Sequence, residues 1–180
     1  MLCMNHPIQL LNVEFEKAMR LLAQHFPVSE ANSRKPVFFH ALRVGVYLYE
    51  REYSYDVVLG GLLHDALEWS DITEQQLREE FGDTIANIVV ANTKDRAIKD
   101  HPERLDDLAR RCVQCGQDAL IVEAADTIDS FRHYTKTQNQ NEIQYGVRKT
   151  AAIFKYKPDG WNDPIFDELK TWQKRYVQSD

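Results

Sequence analysis

The sequence predicts an all-α protein of about nine helices. Three observations predict it. No segment alternates polar and apolar residues cleanly with period two, the mark of a half-buried strand. Apolar residues instead recur every three or four positions along most of the chain. The chain also holds only 7 glycines in 180 residues, few for a β-rich domain with many tight turns.

The elements follow in order. Leu11, Phe15, Ala18, Leu22 and Phe26 share one helical stripe, and Pro27 ends it. Residues 28–35 have the composition of a loop. Pro36 opens a second helix with His40, Val44 and Tyr47 along one side. Ser54 caps a third, whose Val57, Val58, Leu59, Leu62 and Leu63 leave almost no polar face, so it is expected at the centre of the bundle. Thr73 and Gln76 form a capping box and Gly82 is a stop signal. Asp83 starts a helix with Ile85, Ile88 and Val89 inward. After the charged connection 94–100, Pro102 leads a helix through Leu105, Leu108 and Cys112 to Gly116. The next, from about Asp118 to Tyr134, carries Ile121, Ala124, Ala125 and Ile128 around Asp126. Ile143, Val147, Ala151 and Phe154 predict the inner stripe of the eighth helix. Asp163-Pro164 begins the ninth.

Length and composition suit one domain over residues 1–180 with a sizeable core. A net charge of −6 argues against broad nucleic-acid binding, which needs phosphate neutralisation, but leaves room for a small phosphorylated ligand held by local cations. Residues 1–7 lack the pattern of a signal peptide, and no apolar run approaches the ~20 residues of a membrane span. Cys3, Cys112 and Cys115 make no disulfide framework, and the lone Cys112-x-x-Cys115 lacks the second pair of a zinc site. A cytoplasmic protein without membrane partners is expected.

The chemistry gathers at four residues inside apolar helical runs: His40, His64, Asp65 and Asp126. Adjacent ionisable groups on a buried helix need a partner. One divalent ion would serve them all, and two imidazoles with two carboxylates suit Mn²⁺, Fe²⁺ or Zn²⁺ better than Ca²⁺. The other account leaves each His a satisfied core residue and pairs each Asp with a buried cation. Glu68, four residues after His64 and three after Asp65, would share their face on a continuous helix.

The order His40, His64-Asp65, Asp126 is similar to the H…HD…D signature of the HD-domain metal-dependent phosphohydrolases. Within that superfamily the chain resembles the hydrolase domain of the Rel/SpoT-type alarmone enzymes and their small single-domain relatives. Lys35-Pro36-Val37-Phe38-Phe39-His40, Leu62-Leu63-His64-Asp65-Ala66-Leu67-Glu68 with Asp71-Ile72-Thr73, Phe81-Gly82 and Ala125-Asp126 carry the resemblance. It covers about residues 15–135, with residues 136–180 as helices packed on the domain. The resemblance implies a metal, most often Mn²⁺, on His40, His64, Asp65 and Asp126, and Glu68 holding or activating water. It implies Arg34 and Lys35 at a nucleotide, and removal of the 3′-pyrophosphate of guanosine tetra- or pentaphosphate.

The chain departs from that pattern. Trp69 stands for a second carboxylate unless Asp71 moves in, Asp129-Ser130 for His-Asn, and Glu123 for a basic residue. These changes favour a smaller or less charged phosphoester. Arg43, three residues after His40, is a further candidate for the phosphate, and Trp69, Asp129 and Ser130 for the rest of the substrate. Solvent exposure is expected for Lys94 and Arg96. Two functions remain open: a metal-dependent phosphohydrolase acting on a small phosphorylated nucleotide, and a module that binds a nucleotide or metal without turnover.

Overall fold

Five helix starts in the computed structural model, which describes residues 7–31 and 34–177, carry a side-chain cap. The expectations for the extreme N-terminus and for Cys3 fall outside the described residues. The helices are α1 (Pro7–His25), α2 (Val37–Tyr49), α3 (Tyr55–Leu63), α4 (Ala66–Trp69), α5 (Glu74–Phe81), α6 (Asp83–Asn92), α7 (His101–Cys115), α8 (Gln117–Lys136), α9 (Gln140–Tyr156) and α10 (Pro164–Lys174). The described residues contain no strand, so the all-α expectation holds.

Side-chain caps satisfy amides that the first turn leaves without an intrahelical partner. Ser54 accepts from the Val57 amide, Thr73 from Gln76, Asp100 from Glu103, Asn139 from Glu142 and Asp163 from Ile165. Gly82, at φ 85°, ends α5 and opens α6 in a conformation that costs other residues steric strain.

α3 is the axis of the bundle. Every residue from Val57 to Leu63 is buried, and α1, α2, α6 and α8 pack around it. Gly60 and Gly61 permit that crowding. A β-carbon on Gly60 would lie 2.6 Å from Ile88 Cγ2 of α6, and one on Gly61 2.3 Å from Leu48 Cδ1 of α2. Two apolar clusters meet on this helix. Val57 and Val58 join a cluster formed mainly with α2, α8, α9 and α10, while Leu59, Leu62 and Leu63 join one formed with α1, α5 and α6.

Two expectations need correction. The third helix is not continuous to Trp69. It stops at Leu63, and a single turn, α4, resumes at Ala66; apart from that turn the described residues hold the nine helices expected. At this stop the His64 ring bonds through Nδ1 to the Gly61 carbonyl at 2.8 Å, the acceptor that a continuing helix would offer to the Asp65 amide. The second concerns α9. Its buried face is Ile143, Gly146, Lys149, Thr150, Ala152 and Ile153, while Ala151 is exposed. Gly146 faces the Phe131 ring of α8 where a β-carbon would meet it at 3.0 Å, and Lys149 turns inward to carboxylates on α8.

Candidate metal centre

Three elements deliver the polar residues to one buried point. His40 comes from the middle of α2, His64 and Asp65 from the turn between α3 and α4, and Asp126 from the middle of α8. All are buried. His40 Nε2 and His64 Nε2 lie 3.2 Å apart. Asp126 Oδ1 is 2.9 Å from the first and 3.8 Å from the second. Asp65 Oδ2 is 3.7 Å from His40 Nε2 and 3.4 Å from His64 Nε2. One ligand atom each from His40, His64 and Asp65 falls within 4.8 Å of the others.

The outer atoms of both rings are already committed. His64 Nδ1 donates to the Gly61 carbonyl, and His40 Nδ1 donates to Asp129 Oδ2 at 2.6 Å. A carbonyl and a carboxylate only accept, so each Nδ1 carries the hydrogen. In neutral rings both Nε2 atoms then turn bare lone pairs toward one another across 3.2 Å. That arrangement is unfavourable unless positive charge sits between them. Burial opposes a charged His64, yet Asp65 beside it overrides the burial and raises its pKa. Burial likewise opposes ionisation of Asp65, but His64 and His40 hold its carboxyl well below the usual range. The donor set fits a divalent ion that accepts nitrogen and oxygen.

A second layer of charge fixes these groups. Asp129 accepts from Arg43 through two bonds, Nε at 2.7 Å and Nη2 at 2.8 Å, while it holds His40. Burial works against its ionised form, but His40 and Arg43 hold the carboxyl far down. Asp126 Oδ2 accepts from Lys149 Nζ at 2.5 Å, and Lys35 Nζ lies 3.4 Å from Oδ1 and 3.1 Å from Ser130 Oγ. Ser130 Oγ in turn is 3.3 Å from Asp126 Oδ1.

The other sequence candidates are placed differently from expectation. Glu68 does not share an open face with His64 and Asp65. Its Oε1 accepts from the Lys94 amide at 2.9 Å and from Lys94 Nζ at 3.1 Å, because a carboxylate this buried needs donors and the end of α6 provides them. Lys94 is therefore not a solvated loop residue. Arg96 remains exposed, with its guanidinium 5.4 Å over the half-exposed Trp69 ring. Arg34 turns away from Lys35 to Glu142 of α9, at 3.0 Å. Arg43 and Asp129 are spent on each other and on His40 rather than open to substrate. Asp71 does not replace the second carboxylate; it is exposed and pairs with His25 at 2.6 Å. Sequence reasoning missed Lys149. The signal available was a lysine three residues after Gly146 on the buried side of an amphipathic helix.

A family model described as "HD domain" matches residues 18–156. A guanosine-3′,5′-bis(diphosphate) 3′-pyrophosphohydrolase of Aquifex aeolicus is 22% identical over 168 residues, covering 91% of this chain and 24% of that protein. A zebrafish (Danio rerio) protein of the same name is 25% identical over 123 residues, covering 68% of this chain and 57% of its own. The chain thus spans less than two thirds of these relatives. Among solved structures, a metazoan ortholog of SpoT that hydrolyzes ppGpp superposes with a TM-score of 0.72 at 16% identity, covering 91% of this chain and 96% of that one. A crystal structure from Listeria monocytogenes gives 0.65 at 22% identity, covering 81% and 100%. These two likenesses establish a shared fold. With the family model matching most of its length, the chain belongs to the HD domain family.

Proposed function

We propose that the protein is a metal-dependent phosphohydrolase that cleaves a phosphoester or diphosphate bond of a small phosphorylated nucleotide, in the manner that the names of its relatives describe for guanosine-3′,5′-bis(diphosphate). The observation that carries this reading is the pair of imidazole Nε2 atoms facing each other at 3.2 Å with both Nδ1 atoms pinned, beside two carboxylates. His40, His64, Asp65 and Asp126 would hold the ion, with Mn²⁺ as the first choice and Fe²⁺ or Zn²⁺ as alternatives. When bound, such an ion polarises a phosphoryl oxygen and acidifies water.

The chain's own residues would do the rest. Asp129 fixes the His40 ring and Arg43 keeps Asp129 charged. Of the three cations expected at a phosphate, Arg34, Lys35 and Arg43, Lys35 beside Asp126 and Ser130 is best placed for it. Glu68 can take up a proton from water only by giving up its bonds to Lys94. Trp69, half-exposed under Arg96, offers a flat apolar surface to a base. Among the described residues no helix is long and apolar enough to cross a membrane. Two free thiols agree with a cytoplasmic location.

A second reading, a binding module without turnover, is favoured by the Lys94 hold on Glu68 and by Trp69 in place of a carboxylate. The two readings separate in one assay. Metal-free protein is loaded with Mn²⁺ and offered guanosine tetraphosphate, guanosine pentaphosphate and less charged nucleotide phosphoesters, while phosphate and pyrophosphate release are followed. The enzyme reading expects Mn²⁺-dependent release that Glu68→Ala lowers by about 10²-fold or more without loss of Mn²⁺ binding. Binding of Mn²⁺ and nucleotide with no release from any substrate establishes the module instead.

A further inference from the structure

Lys149 is a buried lysine to which the proposed chemistry gives no task. Its side chain is only 5% exposed, and its Nζ lies 2.8 Å from Glu123 Oε1 and 2.5 Å from Asp126 Oδ2. A buried ammonium is costly unless charged partners surround it. Here Glu123 and Asp126, three residues apart on α8, present both partners on one face. Their carboxylates and the Lys149 side chain form a brace between two packed helices, α8 and α9.

That brace divides the two oxygens of Asp126. Oδ1 turns to the imidazole nitrogens at 2.9 and 3.8 Å, while Oδ2 is occupied by Lys149. A carboxylate can offer a cation one oxygen or both, but an oxygen held by a short charge-assisted bond is no longer free. Lys35 differs from Lys149. It approaches the inward oxygen from a loop at 3.4 Å and shares its ammonium with Ser130, so it can be displaced without disturbing a helix contact.

We propose that Lys149, anchored by Glu123, is a positioning residue that restricts Asp126 to one inward donor oxygen, Oδ1, and so sets the affinity of the metal centre and keeps part of the cation's coordination free for substrate. The inference rests on the metal-centre reading and goes beyond it. Glu123 then serves as the counter-charge that makes an inward lysine tolerable.

The test uses the full chain, freed of metal, as wild type, Lys149→Arg and the double variant Glu123→Gln/Lys149→Met. The double variant removes one charge of each sign and leaves net charge unchanged; Asp126 loses its partner at Oδ2 and keeps Lys35 beside Oδ1. Mn²⁺ binding is measured by titration calorimetry, with melting temperature alongside. The expected result is a double variant that melts close to wild type but binds Mn²⁺ about tenfold or more weakly, and a Lys149→Arg variant that stays within about threefold of wild type. Unchanged Mn²⁺ affinity in a folded double variant overturns the role of Lys149 and leaves the metal centre standing. Wild type that binds no Mn²⁺ removes the metal centre and this inference together. If the double variant does not fold, a crystal structure of the Mn²⁺-loaded wild type decides: Oδ2 still on Lys149 supports the proposal, and both Asp126 oxygens on the ion overturn it.

Discussion

The donor cluster and the rim around it are built on opposite plans. In the cluster, the atoms turned outward are pinned: His64 by the Gly61 carbonyl, His40 by Asp129, Asp126 by Lys149. The inward atoms are left to face one another. At the rim the charged side chains have satisfied themselves locally, Glu68 on Lys94, Arg34 on Glu142 and Arg43 on Asp129. The interior donors converge on one point, whereas the rim groups have already found partners of their own. Pre-arranged donors are the costly part of a site to build, because orphaned polar groups in a dry interior are unfavourable until the ligand arrives.

Three substitutions probe that contrast, in falling order of effect. His64→Ala removes a donor from the cluster, so Mn²⁺ affinity and turnover should both fall by more than the ~100-fold that loss of an outer partner costs. Calorimetry and phosphate release on the same preparation would show it, and retained affinity would mean that the cluster is not the metal centre. Asp129→Ala leaves all four inward groups but frees the His40 ring, and should lower Mn²⁺ affinity about 10–100-fold together with the melting temperature, because His40 and Arg43 lose their acceptor. A lower melting temperature with unchanged Mn²⁺ affinity would make Asp129 a structural ion-pair partner alone. Arg34→Ala touches only the exposed pair with Glu142 and should change stability by less than about 1 kcal/mol and turnover by a few-fold at most. A large rise in KM there would return Arg34 to the substrate and blur the line between interior and rim.

Much of this was legible in the sequence, for a physical reason. α2 and α8 place His40 and Asp126 on buried stripes because apolar residues of ordinary size set the helical period around them. Caps at Ser54, Thr73 and Asp163 were readable because they act over two or three residues. What stayed hidden depends on partners distant in sequence or on a side chain competing with the backbone. The His64 bond to Gly61 at the stop after Leu63 is one such contact. Glu68 follows Lys94, 26 residues on, and Arg34 follows Glu142, 108 residues on. Lys149 misleads most, because polarity places a lysine outward and only two carboxylates on another helix bring it in. The account in which each aspartate pairs with a buried cation is therefore half right for Asp126. It has its lysine and still turns an oxygen to the histidines.

The paired glycines of α3 bear on how this protein can be engineered. Replacing a helical glycine by alanine is a standard route to a more heat-resistant variant, worth up to about 1 kcal/mol per site. On α3 that route is closed, since a methyl group at position 60 or 61 would collide with Ile88 or Leu48, both fully enclosed. Forcing α2 or α6 outward would also carry His40 or the anchor of Lys94 with it. Thermal hardening of this scaffold has to be sought on its outer helices, and α3 marks the region where a gain in robustness would be taken directly out of the chemistry.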